Sequence, residues 1–355
     1  MVTNAIGVVA RRLLTQHLAG VKLDTPLAVV SHFGAVQAQD YLGALWAVGL
    51  RMRDAVEADV ERALAERSIV RLWPQRGTLH FVASEDARWI VDLLAPRVLA
   101  RNRNRYKKEF DLDAVALRRC RTVVERALRD GAQLTRPEIY AALERARIAT
   151  GASRGLHILV ALAHERVLCF GPRRGKQPTF VLFDEWLPFA KPKPVDESLA
   201  ELTLRYFTGH GPATIADFMW WSGLTAREVR QGLAGVGDAL TREDALYFSP
   251  SNVPRVSATA HLLPPYDEYT VGFKDRSAVL DPAFAKNVNA GGGVIQPIVV
   301  LDGRVVGTWK RTLGPRAVQI HISAFRPLSA RERASIDKTA ARYAGFVGCS
   351  QAIVR

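Results

Sequence analysis

Gln37 and Gln39 stand two apart across Ala38, inside Gly34-Ala35-Val36-Gln37-Ala38-Gln39-Asp40-Tyr41. On extended backbone, positions i and i+2 face the same side, so the spacing predicts two carboxamides presented to one point, with Ala38 turned toward the core. Such a pair can hold one water or one base edge between its carbonyl acceptors and amide donors. Neither side chain titrates near neutrality, so the pair can orient and polarise but cannot be a strong general base. The competing reading is that both amides satisfy backbone groups at a turn between helices. Asp40 is a minor candidate base, directed away from Gln39 if the segment is extended, and Tyr41 and Trp46 are the aromatics beside the pair.

Arg76 and His80 belong to a second conspicuous stretch, Trp73-Pro74-Gln75-Arg76-Gly77-Thr78-Leu79-His80. Arg76 at a hairpin turn suits a phosphate as well as it suits solvent, and His80 reads as a structural histidine bonded to a backbone carbonyl. Arg173, Arg174 and Lys176 gather at the tip of a later hairpin and are the foremost candidates for gripping a polyanion, followed by Lys310 and Arg311. The Asp302-Gly303-Arg304 turn is a candidate for probing a groove. Trp220-Trp221 are expected to fill core. The acids of Tyr266-Asp267-Glu268-Tyr269 would repel phosphate, so they read as a network at a domain junction. Cys120, Cys169 and Cys349 lack partners at zinc spacing, and no G-x-S-x-G, H-E-x-x-H, P-loop or post-strand G-x-G-x-x-G occurs, so no metal, disulfide or cofactor is expected.

The elements that position these residues must be spread over several domains, because 355 residues exceed one simple core. An excess of 49 Lys+Arg over 35 Asp+Glu, net +14, predicts a polyanionic partner, although a GC-rich genome also inflates arginine. With 48% hydrophobic and 24% charged residues the chain is globular rather than disordered. No basic-then-apolar leader and no run near 18 apolar residues appear, so a cytoplasmic protein is expected.

Periodicity predicts helices over 3–19, 27–33 and 56–67, then a hairpin pairing 69–73 with 78–82. A block over 97–108 carries six cations and no acid. Further helices are read at 115–130, after the Thr135/Glu138 capping box, and at 153–166, followed by a hairpin over 167–183 and a stiff linker over 188–194. Helices over 198–208, 214–220 and 225–233 precede a degraded hairpin at 240–249. From 254 the texture turns to strands, with a primed turn at Asp302-Gly303, a strand over 318–325 and a late helix over 330–344. Helices followed by a hairpin, three times, is winged-helix order. The expected fold class is α+β: three tandem winged-helix (helix-turn-helix) modules over 1–95, 96–190 and 195–252, and a β-rich C-terminal domain over 253–355, curved around a basic cleft.

Gln37-Ala38-Gln39, Arg76-Gly77-Thr78-Leu79-His80, Gly211-Pro212-Ala213-Thr214, Trp220-Trp221-Ser222-Gly223 and Leu263-Pro264-Pro265-Tyr266-Asp267-Glu268-Tyr269 resemble, in order, the signatures of the tandem winged-helix DNA glycosylases. That family includes the azinomycin-resistance glycosylases. The resemblance implies hydrolysis of the N-glycosidic bond of cationic N7- or N3-alkylated purines in double-stranded DNA, with Gln37 and Gln39 as the catalytic pair. It further implies the double-Gln branch, which handles bulky or crosslinked N7-alkylguanine in antibiotic self-protection. A base that is already cationic leaves without protonation, so two carbonyls that hold a water and face the developing oxocarbenium ion suffice. No lysine in the motif can form a Schiff base, which points to a monofunctional enzyme. A crosslinked base does not fit a snug pocket, so we expect the lesion to be approached in place by a monomer. The alternative is a non-catalytic winged-helix DNA-binding protein or transcriptional regulator. It is disfavoured because the acid-rich helix over 55–67 and the mildly basic one over 225–233 are poor groove readers.

Overall fold

The computed structural model describes residues 2–250 and 259–355, so the junction expected at 252–253 lies outside the described residues. Contacts divide the chain into two units, residues 1–61 with 199–355, and residues 62–198. The fold is of the mixed α+β class, and no described helix is long and apolar enough to cross a membrane.

In the first unit the helix Val2–Thr15 stops short of the expected residue 19. His17 turns to φ 53°, and Leu18 and Ala19 both donate back to Leu13 O. Thr25 caps the next helix, Pro26–Phe33, by accepting from Ala28 N–H, and Pro26 supplies a preset φ in the first turn. Gly34, at φ 78°, ends that helix and releases the chain into the short strand Val36–Gln37. The helix Tyr41–Gly49 follows, its residues 43–49 all buried.

Later in the same unit, the helices Val195–His210, Ile215–Ser222 and Ala226–Val236 precede strands Thr241–Glu243 and Leu246–Phe248. Thr214 and Thr225 close capping boxes on Asp217 and Glu228, and Gly223 at φ 75° makes the turn between the last two helices. Tyr206, Phe207, Phe218 and Trp221 pack ring against ring inside this set. The C-terminal part is a five-stranded sheet, in the order Ala260–Leu263, Ile298–Leu301, Arg304–Leu313, Ala317–Ala324, Gln351–Val354. The first four strands are antiparallel neighbours and the last is parallel to Ala317–Ala324, because the helix Ala330–Phe346 carries the chain back along the sheet.

In the second unit, Arg76 (φ 52°) and Gly77 (φ 73°) form a two-residue primed turn between strands Ile69–Gln75 and Thr78–Ala83. The ladder runs further than the expected break at Pro74, since a register shift between Leu72 and Gln75 accommodates the missing N–H. The cationic block lies on a 24-residue helix, Ala87–Phe110, and its cations at 101, 103, 105, 107 and 108 are exposed. The helices Ala114–Leu128, Arg136–Arg145 and Arg154–His164 then lead into the hairpin Leu168–Arg174/Gln177–Leu182, with Leu134–Thr135 as its third strand. Trp73 packs on Phe170 and Phe180 at the centre of one apolar cluster. The segment expected as a linker, 188–194, is irregular but tethered: Arg88 Nε donates to Ala190 O, and Lys193 lies over the Trp89 ring.

Candidate active site

The glutamine motif occupies the passage from the strand Val36–Gln37 to the helix Tyr41–Gly49. Ala35, Val36 and Ala38 are buried and fix the backbone from the apolar side. Asp40 accepts from Gly43 N–H at 2.5 Å and caps the helix from extended backbone (φ -89°, ψ 110°), and the chain bends there into the helix. Gln37 is 7% exposed, whereas Gln39 lies at the surface. Gln37 Oε1 is shut from solvent and has no hydrogen-bond partner among the described residues. Asp40 Oδ1 is engaged as the helix cap. A Cβ on Gly43 would lie 2.7 Å from Asp40 Oδ1 and 3.2 Å from both Pro264 and Pro265, so glycine is required for this close approach.

Two buried acids hold the motif from the far end of the sequence. Gln37 N–H donates to Glu268 Oε1 at 2.8 Å, across 231 residues. Glu268 Oε2 accepts from Trp221 Nε1 at 2.9 Å and lies 3.0 Å from His210 Nε2. Asp267 forms a bidentate pair with Arg51, whose remaining donors reach Gln16 O, Gln16 Oε1 and Ala47 O, so all five guanidinium hydrogens are used. The other end of the helix Tyr41–Gly49 is capped by cations: Lys22 Nζ donates to Leu50 O at 3.0 Å, and Arg342 Nη2 to Leu50 O and Met52 O. The reading of Tyr266 to Tyr269 as a network anticipated the acids' burial. Arg51 and His210, their partners, carried no signal beyond being polar residues beside apolar runs.

The remaining candidates separate into surface and interior groups. Tyr41 opens its helix half-buried, with its hydroxyl 3.4 Å from Glu61 Oε1, and Trp46 is core, donating to Leu262 O. His80 is fully buried, its Nδ1 against Thr78 O and its Nε2 against Gln75, as a structural histidine would be. Arg76 sits half-buried in its turn. Lys176, Arg304 and Lys310 are exposed, and Arg173 is half-buried with Nη2 on Lys176 O. Arg174 is tied to Glu138 at 2.7 Å and to Gln133 O, and Arg311 donates to the Tyr343 hydroxyl. The tip of the Asp302-Gly303 turn is docked, with Gly303 O accepting from Tyr269 OH and Val9 and Leu13 crowding its Cα. Trp221 is fully buried but Trp220 is 46% exposed, correcting the expectation that both fill core, because neighbours on a helix project about 100° apart.

The geometry thus sets a buried carboxylate on the main chain of Gln37, with Gln39 exposed two residues on. The family model of the DNA glycosylase AlkZ-like proteins matches residues 30–346, and the chain belongs to that family: it is a DNA glycosylase, a hydrolase of N-glycosyl bonds. The chain is 29% identical to the interstrand DNA cross-link repair glycosylase of Streptomyces sahachiroi over 98% of each protein. It also superposes on the structure of Streptomyces sahachiroi DNA glycosylase AlkZ with a TM-score of 0.82 and 26% identity, covering 99% of this chain and 98% of that one.

Proposed function

We propose that this glycosylase releases cationic N7- and N3-alkylated purines from double-stranded DNA, including bulky and interstrand-crosslinked N7-alkylguanine, with Gln37 and Gln39 as its catalytic pair. The observation that carries the reading is the Gln37 carbonyl oxygen. Leaving a buried acceptor unmade costs about 1–3 kcal/mol, and such groups persist where a site uses them. Once bound DNA uncovers it, this carbonyl, closed to solvent in the free protein, offers partial negative charge to a developing oxocarbenium ion without first giving up a protein hydrogen bond. In this reading Gln39, two residues on and exposed, orients the attacking water. Because neither amide can protonate a leaving base, the chemistry favours bases that depart already charged.

The repeated order of three helices and a hairpin, seen over 114–182 and 195–248, supports reading these segments as winged-helix modules, with a further module at the N-terminus. In this reading Arg76, Arg173, Lys176, Arg304 and Lys310 contact phosphates, while Arg174 and Arg311 serve their own folds. The enzyme acts as a cytoplasmic monomer without cofactor, and leaves an abasic site without cutting the strand. The test compares base release from duplexes containing N7-methylguanine, uracil or hypoxanthine. Release of N7-methylguanine alone supports the reading, and equal release of the neutral bases contradicts it.

A further inference from the structure

Glu268 is fully buried, and its carboxylate binds the main chain of Gln37 rather than its side chain. The two oxygens divide the work. Oε1 takes Gln37 N–H, and Oε2 takes the Trp221 indole N–H and faces His210. His210 Nδ1 lies 3.2 Å from Tyr206 O, an acceptor, so Nδ1 carries a hydrogen. Nε2 faces Glu268 Oε2, and Oε1 is left to Gln37 N–H. Glu268 is itself fixed from its neighbour: Asp267 caps the short helix Glu268–Val271 and is held by Arg51. Tyr206, stacked on His210, is anchored in turn through its hydroxyl to Gly272 O.

We infer that Glu268 is a positioning residue for catalysis: through Oε1 it sets the Gln37 main chain and thereby the place of the Gln37 carboxamide. This rests on Gln37 being catalytic. The physical reason is that a reacting group displaced by about 1 Å loses on the order of 100-fold in rate, whereas substrate affinity, spread over many phosphate contacts, is untouched.

The experiment uses the full chain and single-turnover release of N7-methylguanine from a duplex, with duplex affinity and melting temperature measured in parallel. Trp221→Phe is the reference, because it removes the indole donor that would oppose an amide at position 268. In that background Glu268→Gln keeps an acceptor for Gln37 N–H, and Glu268→Ala does not. The expected result is a rate within about 5-fold of the reference for the Gln variant and a loss of about 100-fold for the Ala variant, with duplex affinity within about 3-fold throughout. Equal rate losses in the Gln and Ala variants, or losses that follow melting temperature alone, overturn the inference. Should the Ala variant fail to fold, Glu268→Asp in the wild-type background replaces it: one methylene shorter, it is expected to lose at least about 10-fold in rate, and a wild-type rate overturns the inference. Gln37→Ala is run alongside. Wild-type activity there refutes the catalytic reading itself, whereas an inactive Gln37→Ala with a fully active Glu268→Ala refutes only the role of Glu268.

Discussion

Arg51 and Asp267 meet in a two-pronged ion pair, Nη1 to Oδ2 and Nη2 to Oδ1 both at 2.8 Å, with Arg51 at 0% and Asp267 at 1% exposure. The pair ties the end of the helix Tyr41–Gly49 to the residue preceding Glu268, so it supports the site indirectly. A buried pair is expensive to form and more expensive to break, because removing one partner strands the other charge. Asp267→Ala is therefore expected to lower the unfolding free energy by about 3–5 kcal/mol, and Arg51→Met/Asp267→Leu to recover much of that. Urea denaturation of the two variants checks this.

Gly303 presents a different kind of constraint. Its φ is 77°, and a Cβ there would lie 2.1 Å from Val9 Cγ1. Gly303→Ala combines left-handed strain with overpacking, for an expected loss of about 2–4 kcal/mol. Adding Val9→Ala relieves the clash but not the backbone term, so the double variant should regain only part of the stability. A double-mutant cycle by thermal unfolding gives the coupling.

Acid should destabilise the fold in a defined window. Burial pulls His32 and His164 down to about 4 and His261 to about 3. These rings stay neutral in the folded chain, whereas in the unfolded chain they take up protons near pH 6.5. The unfolded state thus binds more protons between about pH 6.5 and 4, and stability falls as pH falls through that range, by up to about 1.4 kcal/mol per pH unit for each ring. Above pH 6.5 the contribution is complete. Glu138 and Glu332, held near 2 chiefly by the hydrogen bonds from Thr135 N–H and Arg326 respectively, lose their contribution below the usual carboxylate range, so their effect extends lower. Denaturant midpoints from pH 4 to 8 should show the slope, and His164→Phe should reduce it.

Surface cations differ in the partners they already hold. Arg173→Ala/Lys176→Ala is expected to lower duplex affinity and to reduce the slope of log affinity against log salt by about 2, near 0.9 per lost phosphate contact. Arg311→Ala should lower that slope less, since one donor of its guanidinium is tied to the Tyr343 hydroxyl. Binding titrations across a range of salt concentrations distinguish the two outcomes.

What was legible in the sequence was local. Thr25-Pro26, the Thr135/Glu138 box and Asp302-Gly303 each encode their geometry within four residues, and each appears as expected. The candidate residues Gln37 and Gln39 were also visible as a spacing, but the burial of Gln37 beside an exposed Gln39 was not, because remote residues such as Glu268 surround the first. Links across long separations left no mark: nothing near Gln37 announces a carboxylate 231 residues away. The parallel strand Gln351–Val354 was missed for the same reason, being four residues long and defined by its partner Ala317–Ala324. Trp220 and Trp221 show the limit of residue type alone, since only helical phase assigns one to core and the other to solvent.

The central claim is that two neutral carboxamides suffice when the departing base is already charged. Single-turnover release of N7-methylguanine from duplex DNA by the wild type, Gln37→Ala and Gln39→Ala tests it most directly. The account predicts a loss of about 100-fold or more in each variant with duplex binding retained. Release at the wild-type rate in both variants would contradict it.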